Sequence, residues 1–209
     1  MAALFLFVAC AGRQQVSGPI IGQCDPAADE AVHRGDWEQA LADHERLVAQ
    51  RPDDCLALYH LGYVWSQLGD HDQEIQYYLK AEQCGYTGDD QLYFNLGMAL
   101  ADQGDPEGAE KAFEKAVAIN PKNPENYFGL GLMYQALGRS QKAETAWLAA
   151  VHQDPKHWDA HLALARLYLD QSHWKEAAKH LEIVLKGDPD NQEAQDLVET
   201  LKGRQALEY

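Results

Sequence analysis

A recurrence of about 34 residues constrains this chain more than any other feature. The stretch Pro124 to Pro155 defines one unit. Tyr127, Leu130, Gly131 and Tyr134 follow the i, i+3, i+4, i+7 spacing of one helix face. Gly138 then interrupts, Ala143, Trp147 and Ala150 mark a second helix face, and Pro155 stops it. Such a helical hairpin cannot cover its own apolar stripe, so neighbouring copies have to do so.

With Pro124 as position 1, the Leu-Gly pair at positions 7 and 8 recurs as Leu61-Gly62, Leu96-Gly97, Leu130-Gly131 and Leu164-Ala165. Position 15, the turn, reads Gly35, Gly69, Gly104, Gly138 and Ser172. Position 20, where two helices must approach closely, reads Ala40, Glu74, Ala109, Ala143 and Ala177. Position 24 reads His44, Tyr78, Phe113, Trp147 and Leu181, and position 32 reads Pro52, Tyr86, Pro121, Pro155 and Pro189. These five markers resemble the tetratricopeptide repeat family, whose 34-residue unit carries W-x2-L-G-x2-Y, A-x3-F and a closing proline.

The resemblance implies an all-α fold, a right-handed α-solenoid of about five helical hairpins plus a C-terminal capping helix. The repeat domain is expected over 23–191, with units at about 23–54, 55–89, 90–123, 124–157 and 158–191, and a capping helix and tail over 192–209. In that last stretch Ala194, Leu197, Val198 and Leu201 share one face. Two departures stand out. The first unit has Ala27-Ala28 in place of Leu-Gly, and the second has Glu74 for alanine plus an extra residue near Tyr86. The second departure predicts looser packing between units two and three.

In this family the first helix of each unit lines a concave groove. Mapping its positions onto this chain gives Leu56, Tyr59, His60 and Tyr63, then Phe94, Asn95 and Met98, then Phe128, Leu132 and Gln135, then Leu162 and Arg166. Members that grip a terminal carboxylate need cations on successive units, and here Arg166 is the sole groove cation. The groove is instead mostly aromatic and aliphatic, which suits an amphipathic helix or extended apolar segment of a protein partner. Two alternatives stand beside it: cover by curvature or by the N-terminal tether, and pairing with a second copy as a homo-oligomer.

At the N-terminus, Leu4 to Ala9 is too short an apolar run to span a bilayer as a helix. Phe7-Val8-Ala9-Cys10 resembles the lipobox of a bacterial lipoprotein signal, although no Lys or Arg precedes it. The resemblance implies a signal over 1–10, lipidation of Cys10, a tether over 11–22, and a periplasm-facing lipoprotein that meets the membrane through its anchor only. If the N-terminus is not a signal, the expectation becomes cytoplasmic.

Of the remaining cysteines, Cys55 stands at position 1 of its unit and Cys84 at position 30. An antiparallel hairpin sets these positions side by side, so an oxidising compartment would permit a disulfide; buried free thiols, with Cys24 among them, are the alternative. No C-x-x-C occurs, and the sequence predicts no metal site and no cofactor. His157 and His161, near His152, straddle a loop and a helix start without a well-placed carboxylate. The chain lacks H-E-x-x-H, G-x-S-x-G and a phosphate-binding loop and has four serines, so no catalytic constellation is expected. Its net charge of −16, from 33 acidic and 17 basic residues, disfavours nucleic acid and anionic headgroups.

Overall fold

Aspartates placed just ahead of the apolar stripes start most of the helices. In the computed structural model, which describes residues 24–206, the side chains of Asp25, Asp36, Asp54, Asp70, Asp89 and Asp105 each accept a hydrogen bond from a backbone N–H in the following first turn. Part of the chain's negative charge is thereby placed at helix N-termini, where the unpaired N–H groups and the helix dipole favour it. Cys10 and the tether over 11–22 lie outside the described residues.

The elements are α1 (Pro26–Arg34), α2 (Trp37–Gln50), α3 (Cys55–Leu68), α4 (His71–Cys84), α5 (Asp90–Asp102), α6 (Pro106–Ile119), α7 (Pro124–Ala136), α8 (Ser140–Gln153), α9 (Trp158–Asp170), α10 (Trp174–Gly187) and α11 (Gln192–Ala206). The described residues therefore form an all-α helical repeat array. Each turn at position 15 takes a left-handed conformation, with φ of 72° at Gly35, 81° at Gly69, 80° at Gly104, 71° at Gly138 and 59° at Ser172. Glycine adopts this region without a Cβ penalty, whereas Ser172 adopts it at a cost.

Packing within a hairpin rests on the ring at position 24 meeting the glycine at position 8. A Cβ on Gly62 would lie 2.4 Å from the Tyr78 ring, one on Gly97 2.9 Å from Phe113, and one on Gly131 2.3 Å from Trp147. In the last hairpin the smaller Leu181 leaves room for Ala165, and both are buried. The missing side chain is therefore what lets a large aromatic close the hairpin.

Each even-numbered helix packs on the helices before and after it, while α3 also meets α5, α5 meets α7, and α9 meets α11. A two-layer array curves toward the layer whose members touch, which places the odd-numbered helices on the inner side. α11 closes the C-terminal end by burying Ala194 and Leu201 against α9 and α10.

The junction between the second and third hairpins is less extensive than the one after it, in line with the expected loosening, and specific contacts accommodate Glu74 and the extra residue. Glu74 is buried with the His71 Nδ1 at 2.9 Å, and Tyr86, in the place of proline, stacks on Tyr59 with ring centroids 5.1 Å apart. The Tyr86 hydroxyl donates to Asp89 at 2.7 Å, and Tyr93 and Lys115 both donate to Glu82, at 2.9 and 2.6 Å. An aromatic ring thus takes the place of the closing proline at this junction. One junction on, Asn126 donates to Asp90 at 2.9 Å and to the Ala116 carbonyl at 3.2 Å, and Asn123 donates to Asp90 at 2.9 Å. Cys55 and Cys84 are joined by a disulfide, which ties the start of α3 to the end of α4.

Candidate functional site

The inner face is built from α3, α5, α7 and α9, and the structure divides the expected groove residues into two sets. Tyr59, Asn95 and Leu162 are 2%, 2% and 5% exposed, so no partner can reach them, and His60 is fully buried. The reason lies in the stacking: position 6 puts His60 and Asn95 at the seam between hairpins, while at position 5 neighbouring side chains close over Tyr59 and Leu162 but leave Phe94 and Phe128 part of their surface. Tyr59 is enclosed by Tyr78 and Tyr86, Asn95 Nδ2 donates to the Tyr59 hydroxyl at 3.4 Å, and Leu162 joins the C-terminal core. Burial pushes the Tyr59 hydroxyl well above the ordinary tyrosine range, which keeps it a neutral packing group.

Leu56, Tyr63, Phe94, Met98, Phe128 and Leu132 are half-buried and Gln135 is exposed. Tyr63 leans on Trp37 edge to face at 6.2 Å, and Phe94 meets Phe113 in the same way at 5.6 Å. Met98 packs against the α6 and α7 cluster, and Leu132 bridges that cluster and the C-terminal one. These side chains are rooted in the core and offer their remaining surface inward.

At the α7 end of this row, the Phe128 ring lies 4.9 Å from the His157 ring. His157 Nδ1 accepts the Ala160 N–H at 3.2 Å as the N-cap of α9, which puts the proton on Nε2, 3.3 Å from the Glu125 carboxylate. Burial alone would lower the His157 pKa; the Glu125 carboxylate, helped by Asp159 and Asp154, more than offsets it and leaves the group above its ordinary value. His161 points elsewhere, with its Nδ1 2.7 Å from His180 Nδ1. The three neighbouring histidines therefore do not converge on one point.

Arg166 is also committed, to Glu193 of α11 at 2.7 Å. The inner face consequently presents no row of cations able to grip a carboxylate, and its chemistry is apolar with polar edges. Large exposed apolar residues elsewhere, Leu68, Leu79, Ile119 and Leu148, sit singly. No helix among the described residues is long and apolar enough to cross a membrane.

The sequence reading did not anticipate the Asp90, Asn123 and Asn126 knot, nor a gathering of Cys24, Asp29, His44 and His60 at the first junction. A signal for the second existed: histidine stands at position 24 in the first unit and at position 6 in the second, and those positions meet across the seam.

Family models of the tetratricopeptide repeat match residues 26–86, 90–123 and 128–192. No curated protein has a matching sequence. Among solved structures, MamA from Desulfovibrio magneticus RS-1 superposes with a TM-score of 0.73 at 23% identity, covering 79% of this chain and 93% of that one. YrrB, described as a tetratricopeptide protein with an unusual peptide-binding site, gives 0.74 at 23% identity over 82% of this chain and 88% of that one. The pilF protein of Pseudomonas aeruginosa gives 0.73 at 18% identity over 86% and 82%. At these identities the likeness is one of fold.

Proposed function

The chain belongs to the tetratricopeptide repeat family, and from that premise we propose that it is a non-enzymatic scaffold that holds an apolar or amphipathic segment of a partner protein on its inner face. The observation that carries this reading is the half-buried row Tyr63, Phe94, Met98, Phe128 and Leu132, which runs along the odd-numbered helices. A surface with no ligand would be covered more cheaply by polar side chains, and such a row supplies anchors already ordered by their own cores. Anchorage by a lipid on Cys10 would place the scaffold at the cell envelope, near pilus, secretion or outer-membrane machinery, and raise the local concentration of its partner.

The test is a peptide array probed with the wild type and with a Met98→Glu/Leu132→Glu variant. The expected outcome is retention of a set of amphipathic peptides by the wild type and their loss by the variant, with the helical circular dichroism unchanged. Equal retention by both proteins would place recognition on another face. Cys10→Ser tests the anchor separately: the protein should leave the membrane fraction, and its retention there would refute lipidation.

A further inference from the structure

The ring at position 24 of one unit sits over position 6 of the next. Phe113 does so with Gly129, where an added Cβ would lie 2.5 Å from the ring. At the first junction the same slot holds two histidines, His44 from α2 and His60 from α3, whose rings meet edge to face at 5.4 Å. Asp29 of α1 and Cys24, one residue ahead of the α1 N-cap, complete the group.

One atom from each side chain defines a closed four-cornered figure. Cys24 Sγ lies 3.3 Å from Asp29 Oδ1, 3.5 Å from His44 Nε2 and 3.1 Å from His60 Nδ1. The imidazole nitrogens are 3.3 Å apart, and Asp29 Oδ1 is 3.6 Å from His44 Nε2 and 3.1 Å from His60 Nδ1. A tetrahedral ion with bonds of about 2.0–2.3 Å requires corner-to-corner distances of about 3.3–3.8 Å. All six observed edges fall within a few tenths of an ångström of that range.

Ordinary hydrogen bonding does not account for the figure. His44 Nδ1 donates to the Ala40 carbonyl at 2.8 Å, so its Nε2 presents a lone pair to the centre. Asp29 Oδ1 is likewise an acceptor, which leaves at most the Cys24 thiol and His60 Nδ1 to supply protons to six close approaches. Outer contacts orient two of the corners as outer-sphere partners of a metal do: the Ala40 carbonyl holds His44, and the second Asp29 oxygen accepts the Cys24 backbone N–H at 3.0 Å, while His60 Nε2 has no hydrogen-bond partner. Asp29 is 4% exposed and His44 and His60 are 0% exposed, so water is excluded from three of the four corners.

We propose that Cys24, Asp29, His44 and His60 form a structural zinc site that fastens α1 to α2 and α3. The donor set of one thiolate, one carboxylate and two imidazoles suits zinc among the divalent ions. On binding, the Cys24 S–H bond breaks, an S–Zn bond forms and the proton passes to solvent. The thiolate and carboxylate together carry two negative charges, which the ion neutralises, and four protein ligands leave no open position for a substrate. α1 has nine residues, too few for independent stability, and belongs to the unit without the Leu-Gly pair. The ion supplies the missing closure at the end of the array.

The full chain, stripped with a chelator and reloaded without reductant so that Cys55 and Cys84 stay bonded to each other, is analysed for metal content and for cobalt(II) absorption. The expected result is one zinc per chain and a cobalt spectrum with tetrahedral d–d bands and a thiolate charge-transfer band. Cys24→Ser and His60→Gln should each weaken zinc binding by more than about 100-fold. Cys24→Ser alters only a partly exposed residue ahead of α1 and should keep its helical dichroism, so that loss of metal is distinguishable from loss of fold. His180→Gln, which breaks the other buried imidazole pair, should still bind one zinc. Failure of the wild type to retain zinc at micromolar concentration, an octahedral cobalt spectrum, or undiminished binding by Cys24→Ser would each overturn the site, leaving a hydrogen-bonded cluster.

Discussion

The indole of Trp147 lies so close to the backbone of Gly131 that a Cβ on the glycine would stand 2.3 Å from Nε1. Trp147 is fully buried, so the ring has no free direction in which to move. Gly131→Ala should therefore cost about 1–3 kcal/mol by overpacking, read as a lower urea midpoint with an unchanged slope. An unchanged midpoint would mean that the hairpin relaxes freely at this seam.

The Cys55 to Cys84 bridge closes a span of 29 residues around the second hairpin. Replacing both cysteines by serine should lower unfolding free energy by about 2–4 kcal/mol, chiefly by freeing the unfolded chain. Denaturant unfolding of the double variant beside the oxidised wild type measures it. Equal stability of the two would show that the bridge adds nothing to the α3 and α4 packing.

His161 and His180 set an acid limit on the C-terminal half. His161 Nε2 donates to the Pro155 carbonyl at 3.2 Å, so its Nδ1 accepts the proton of His180 Nδ1 at 2.7 Å, an arrangement that requires the His161 ring to be neutral. Burial, with His161 and Lys179 adding to it, pushes His180 down to about 4, and burial also lowers His161. Because these folded-state values lie below the unfolded one, the unfolded chain binds protons first as pH falls. Stability is full above about pH 6.5 and is lost toward pH 4, by at most about 1.4 kcal/mol per pH unit for each such histidine. Thermal melts of the wild type and His180→Gln across this range should converge as the pH drops; parallel curves would disprove the assignment.

Ser172 holds φ at 59° where the other four hairpin turns have glycine. Ser172→Gly relieves left-handed strain while adding freedom to the unfolded chain, for a net gain of up to about 1 kcal/mol. The reciprocal Gly138→Ser should lose about the same amount. Thermal melting of the two variants checks both signs at once.

The fold was legible because its determinants are periodic. Gly62, Gly97 and Gly131 mark the close approach of Tyr78, Phe113 and Trp147, and each pair lies within one hairpin, where order along the chain and proximity coincide. The inner face was legible only in part. Position within the repeat identifies the helix that lines it, but not whether the neighbouring hairpin covers a given side chain, which is why Tyr59, Asn95 and Leu162 are buried while Phe94 and Phe128 keep some surface.

The sequence by itself determined the helical repeat, its turns and its aromatic closures, since those follow from local spacing and from the absence of a side chain at particular positions. The tertiary structure decided what stacking alone can bring about. It turned Arg166 toward Glu193, filled the second seam with Tyr86, and gathered Cys24, Asp29, His44 and His60 from the segment before α1 and from three helices into one buried group. Those contacts join residues far apart along the chain, and no short motif records a distance that exists only once the hairpins are packed.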